Sequence, residues 1–305
     1  MTRTTDSVAL NDWQSIGASK DITPGSPRVS QLLGQAFIAR RDKDGQVTAL
    51  ALYADGKHGE PIKVREEYGH VFLALGDTPR PLLKMPEFDE PGRRLITCGV
   101  ITVKASPLRI VENFLDMGHF PFVHTNILGA EPDTEVAPYD TQIRTDVDEV
   151  WATNCKFFQP QAAMSATGGI TIEYEYRVTS PFITILYKTC PARDDAWDLI
   201  GLFVQPLTAT HCDVHAFMLL YDDTSTDVDL IHFQQMIFLQ DRPILENQRP
   251  ALLPLTPGAE HPVSGDRMSS TYRRWLRERG LRFGALVDVN QCDESNEAGT
   301  VGPKK

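Results

Sequence analysis

Five segments between residues 140 and 221 constrain this chain most: EVWATNCKFFQ, ITIEYEYRV, FITILYKTC, WDLIGLFVQPL and CDVHAFMLLY. Each is rich in β-branched and aromatic residues, and turn residues separate them, so they read as strands of an antiparallel meander. Directly after them comes TDVDLIHFQQMIFLQDRPILENQ, a long helical pattern with a kink expected at Pro243. SSTYRRWLRERG then reads as an amphipathic helix ending at Gly280. The expected architecture is α+β, an antiparallel sheet gripping a long C-terminal helix.

The first ninety residues carry shorter strand signals. QAFIARRDKDGQVTALALY reads as strand, Asp-Gly turn and strand, and PIKVREEYGHVFLALGD as another hairpin. DTPRPLLKMPEFDEPGRR is proline-rich and unperiodic, which marks a boundary. The expected division is a small β region at 1–92, a main domain at 93–284 and a disordered tail at 285–305.

A net charge of −11 argues against nucleic acid or an anionic membrane as partner. No apolar run nears the ~20 residues of a membrane span, and MTRTTDSVALND has no signal-peptide core, so a cytoplasmic location is expected. The cysteines Cys98, Cys155, Cys190, Cys212 and Cys292 are odd in number and form no CxxC pair, so free thiols are expected.

SPLRIVENFLDMGHF has a helix signature, with Ser106 as N-cap and Pro107 at the first position. Glu112, Asp116 and His119 fall at i, i+4 and i+7, one face of that helix. Pro121 is expected to end it, so that His124 returns from the following turn. Two imidazoles placed this way need a third ligand, and two histidines with one carboxylate would leave positions on Fe(II) for O₂ and substrate. The alternative is a half-buried helix with satisfied histidines, since chance supplies ~0.2 such pairs in a chain of this composition.

The wider stretch ENFLDMGHFPFVH resembles the iron-binding signature of Rieske-type non-haem iron oxygenases, with Asn113, Asp116, His119 and His124 at its named positions. FLQDRPILENQ resembles the segment whose aspartate completes the ligand set. The resemblance implies His119, His124 and Asp241 as iron ligands, with Glu246 as fallback for the carboxylate. It implies that Asp116 bridges an electron-donating centre to a ligand histidine, and that Asn113 stands behind the ligands. It covers most of residues 10–280, and the nearest branch is that of oxygenases demethylating vanillate, dicamba and methylxanthines. If Asp241 faces the iron, Gln234 and Phe238 share its helical face and would contact a planar substrate.

Members of this family bear an N-terminal [2Fe–2S] domain held by two cysteines and two histidines. Here NDWQSIG, LLGQAFIARRDKDGQVTAL and VREEYGHVFLALGD resemble its flanks. Where the cluster loops belong stands ALYADGKHGEPIK, with His58 and no cysteine. The pattern resembles a Rieske-less group of oxygenase components similar to the bacterial methylxanthine N7-demethylase. The group implies that a Rieske-containing reductase supplies the electrons, so the [2Fe–2S] cluster sits only on a partner protein. The family also implies O₂ as co-substrate, a methylated heterocycle such as 7-methylxanthine as substrate, formaldehyde as product, and a trimer-based oligomer with possible further oxygenase subunits.

Two other functions compete. O-demethylation of a methoxylated aromatic such as vanillate shares the iron chemistry. A metal-free protein binding a hydrophobic ligand would share the fold. A third pattern, His211-x-Asp213 with His261, matches the nucleating motif of 2-oxoglutarate-dependent oxygenases, but about one such triplet is expected by chance.

Overall fold

The computed structural model describes residues 2–161, 163 and 168–287. After a single helical turn, α1 (Ser7–Leu10), six strands form the first sheet: β1 (Gln14–Ala18), β2 (Arg28–Leu32), β3 (Gln35–Arg41), β4 (Val47–Leu52), β5 (His58–Glu67) and β6 (His70–Ala74). Their order is β1-β6-β5-β4-β3-β2, every pair antiparallel. ALYADGKHGEPIK forms the end of β4, a tight turn and the start of β5. Tyr53 N–H donates to Lys57 O at 3.0 Å, and Gly56 takes φ +80°. His58 opens β5 with its side chain exposed.

The main sheet contains β7 (Arg94–Thr97), β8 (Ile101–Val103), β9 (Asp140–Arg144), β10 (Glu149–Gln159), β11 (Ile170–Ser180), β12 (Ile183–Thr189), β13 (Trp197–Thr208) and β14 (His211–Leu220). Its order is β7-β14-β13-β12-β11-β10-β9, with β8 also on β14. The five strand segments read from the sequence are β10 to β14 in unbroken meander. The α+β class and its antiparallel sheets are as expected.

The two sheets share one core. Ile16, Phe37 and Leu73 of the first pack in the same buried cluster as Val204, Val214 and Tyr176 of the second. Leu33 and Gly34 donate backbone N–H groups to Pro206 O and Leu207 O at 2.7 and 2.9 Å. Gly34 has φ +85°, and a Cβ there would stand 2.4 Å from Thr2 O, so only glycine fits this seam.

Helices α2 (Pro107–Phe114) and α3 (Phe120–Val123) follow β8, α4 (Asp227–Asn247) follows β14, and α5 (Arg267–Glu278) comes last. Thr226 caps α4 by accepting the Asp229 N–H, and Asp227 and Asp229 complement the dipole of its first turn. Pro243 sits inside α4 without ending it. The buried stripe of α4 is Leu230, Gln234, Phe238, Asp241 and Leu245, spaced by three or four residues. Helix α5 is pinned by Tyr272 Oη donating to Pro181 O and Trp275 Nε1 donating to Asp148 Oδ1, each at 2.7 Å.

The tail expected from 285 opens with a strand, β16 (Ala285–Leu286), parallel to β15 (Leu253–Pro254). Residues 288–305, with Cys292, lie outside the described residues. Cys98, Cys155, Cys190 and Cys212 are buried free thiols.

Candidate metal centre

The single helix expected through His119 is two. Helix α2 ends at Phe114, because the Asp116 side chain competes with the backbone: its Oδ1 accepts the Gly118 N–H at 2.7 Å, closing a turn. Pro121 does not terminate a helix. It lies in the first turn of α3, where its missing N–H costs nothing. His119 and His124 therefore bracket α3 as its two caps, and their rings meet with centroids 5.0 Å apart. Glu112, expected on the same face, turns away to Arg109 and Arg273.

Asp241 of α4 completes a triangle. The two imidazole Nε2 atoms are 3.2 Å apart, and Asp241 Oδ1 lies 3.3 Å from that of His119 and 3.1 Å from that of His124. The opposite ring nitrogens are both engaged. His119 Nδ1 meets Asp116 Oδ2 at 3.1 Å, and His124 Nδ1 meets Gln240 Oε1 at 2.8 Å. A carboxylate can only accept, and the amide oxygen likewise, so the ring protons sit on Nδ1 and both Nε2 lone pairs face Asp241. Three lone-pair atoms converging in a buried place repel one another unless a cation stands among them. Donors ~2.1 Å from one ion and at right angles would stand ~3.0 Å apart, close to the observed triangle. Among the described residues, this is the group whose three donor atoms all lie within 4.8 Å.

Burial opposes charge on His119, but Asp116 and Asp241 outweigh it and push its pKa up to about 9. Burial raises the Asp241 pKa, and the two histidines beside it more than offset this, holding the carboxyl below its ordinary range. Asn113 Nδ2 lies 3.5 Å from Asp241 Oδ1, behind the triangle.

The triangle forms one end of a mainly apolar cavity between α4 and the inner face of the main sheet, lined by Phe114, Leu186, Ile200, Leu202 and Met218. Gln234 and Phe238 both line it, and Gln234 is buried. A second, polar cleft reaches Asn113, Asp116, His119 and Asp241 as well, between walls that carry Arg109, Arg249, Arg273 and Arg277.

The remaining candidates stand elsewhere. Glu246 bonds Lys104 N at 3.1 Å and Arg242 Nε at 3.0 Å. His211 is exposed beside Thr208 and Thr210. Asp213 bonds Thr102 and Arg28, and His261 lines the polar cleft, so that triplet forms no site. Sequence reasoning missed Gln240. Its one signal is adjacency to Asp241 on α4, which places it one step around the helix from the face that carries Asp241.

Residues 103–282 match the vanillate O-demethylase oxygenase C-terminal domain family. The chain is 44% identical over 279 residues to the probable methylxanthine N7-demethylase NdmC of Pseudomonas sp. (strain TJI-51), spanning 92% of this chain and 97% of that one. Its fold is similar to NdmA of Pseudomonas putida CBB5 solved with caffeine, with a TM-score of 0.69 at 17% identity over 88% of this chain and 90% of that one. Dicamba monooxygenase bound to dicamba is similar too, with a TM-score of 0.68 at 15% identity over 90% and 99%.

Proposed function

Since the chain belongs to the vanillate O-demethylase oxygenase family of Rieske-type oxygenases, we propose that it is the terminal oxygenase component of an N-demethylating system that takes its electrons from another protein. The observation that carries this reading is the donor triangle at the end of an apolar cavity. Its two imidazoles are fixed in the tautomer that bares Nε2, and a carboxylate completes a set suited to Fe(II) with open positions. Bound there, ferrous iron would supply the O₂ activation.

The chain's own residues do the rest. Asp116 and Gln240 hold the two ring tautomers, and Asn113 supports the Asp241 carboxylate. The apolar cavity excludes water and presents the substrate's N-methyl group to the triangle, with Gln234 and Phe238 beside it. In balance, R₂N–CH₃ with O₂, two electrons and two protons gives R₂N–CH₂OH and water. The C–N bond of that hemiaminal then breaks to release R₂N–H and formaldehyde.

The electrons must come from outside residues 1–97, which hold no cysteine and so no thiolate for a [2Fe–2S] cluster. The partner is a reductase bearing a Rieske cluster and fed by NAD(P)H. It would dock at the polar cleft, where Asp116 and His119 are both reached. O-demethylation of a methoxylated aromatic is the second reading, because the same triangle would serve it.

Anaerobically loaded protein should hold about one Fe(II) per chain. With O₂, NADH and a reductase lacking a Rieske cluster it should release no formaldehyde from a methylxanthine, and a Rieske-bearing reductase should start release. Asp116→Ala should stop it even at Fe(II) concentrations that keep the site loaded. Sustained turnover without any Rieske protein would sink the proposal.

A further inference from the structure

One wall of the cavity is polar in a way that the metal chemistry does not use. Tyr174 and Tyr176 are each 1% exposed and Gln159 is 2% exposed, and all three line the cavity. Both tyrosine hydroxyls and Gln159 Oε1 have no hydrogen-bond partner among the described residues. A buried polar atom left unpartnered destabilises a fold, so several at one cavity mark a place where a bound molecule completes the bonding.

Strand register arranges this wall. Tyr174 of β11 is paired with Lys188 of β12, and Lys188 with Asp198 of β13, one row running across three strands. All three line the cavity. The neighbouring row, Tyr176, Leu186, Ile200 and Met218, is otherwise apolar. Tyr176 meets Phe114, the last residue of α2, edge to face. The mixed polar row thus stands one step farther along the sheet.

The charges on this wall do not suit an anion. Among the described residues lining the cavity, those charged besides the triangle are one cation, Lys188, and two carboxylates, Asp198 and Asp222. Burial raises the Asp222 pKa, but hydrogen bonds donated by Ser225 and Thr224 outweigh it and bring it down to about 2. A substrate carboxylate would meet more negative than positive charge. A neutral ring carrying carbonyl groups and an N–H would instead accept from Tyr174 and Lys188 and donate to Asp198.

We propose that Tyr174, Lys188 and Asp198 form a specificity wall that reads a neutral, carbonyl-bearing N-heterocycle and rejects methoxylated benzoates. The inference rests on the demethylase reading and chooses between its two substrate classes.

Calorimetry on the iron-loaded protein without an electron donor tests it, with 7-methylxanthine and 4-methoxybenzoate as probes. The wild type should bind the heterocycle at least tenfold more tightly. Tyr174→Phe should weaken heterocycle binding about tenfold without lowering the ligand-free melting temperature, since the hydroxyl makes no bond among the described residues; a purely structural tyrosine would lower the melting temperature instead. Asp198→Asn should narrow the gap between the probes, and if it does not fold, Tyr174→Phe decides alone. Equal or tighter binding of the benzoate by wild type, or unchanged binding by Tyr174→Phe, overturns the proposal. Binding is read without turnover, so failure of the oxygenase chemistry would leave this preference standing and is told apart by iron content and formaldehyde release.

Discussion

Asp116 uses its two oxygens for different tasks, one closing the turn that ends α2 and the other holding the His119 ring. Gln240 holds the second ring. These supports predict a graded response. His124→Ala should lose stoichiometric iron while circular dichroism shows the fold intact. Gln240→Ala should keep the ligands and lower iron affinity ~10–100-fold, read by competition with a chelator. Full iron retention by His124→Ala would reject the ligand assignment. His119, His124 and Asp116 were legible as a spacing, and Asp241 through the family likeness of its segment. Gln240 was not, because an amide that fixes a tautomer obeys no spacing rule and is found only once the ring it meets is in place.

At the scale of elements, α4 does most of the positioning, and the loop before it is a device of its own. Asp222 accepts from Ser225 N–H at 2.8 Å, Ser225 Oγ at 2.6 Å and Thr224 N–H at 2.9 Å, and Thr226 then caps the helix. Burial raises the Asp222 pKa, but these bonds outweigh it and bring it to about 2 from 3.8. A carboxyl depressed by folding contributes stability that is complete above the unfolded value and is lost as pH falls from about 4 toward 2. Asp222→Asn should therefore flatten the fall in urea midpoint across that window and cost about 1 kcal/mol at neutral pH; an unchanged acid profile would rule this out. The meander and α4 were legible because strand and helix periodicities run undisturbed for ten residues or more. The break between α2 and α3 was not, since a proline reads equally as a stop or as a first-turn residue, and the side-chain bond of Asp116 decides between them.

Over the whole molecule, the first sheet contains no cysteine, has six strands and shares its core with the main sheet. We expect the two to unfold together, with fluorescence and circular dichroism giving coincident denaturant curves. Gly34→Ala, which strains the seam, should lower that one midpoint, a loss of ~1–3 kcal/mol in unfolding free energy. Two separate transitions would show independent domains at the expected boundary near residue 92. The sequence likeness made the first sheet legible, but not its shared core, because contacts between distant segments leave no local periodicity. The two recesses that both reach His119 and Asp241 carry a consequence for the order of events. If the proposal holds, matter enters by one opening and charge by the other. Neither visitor has to leave before the other arrives, so a seated substrate does not block the delivery that consumes it.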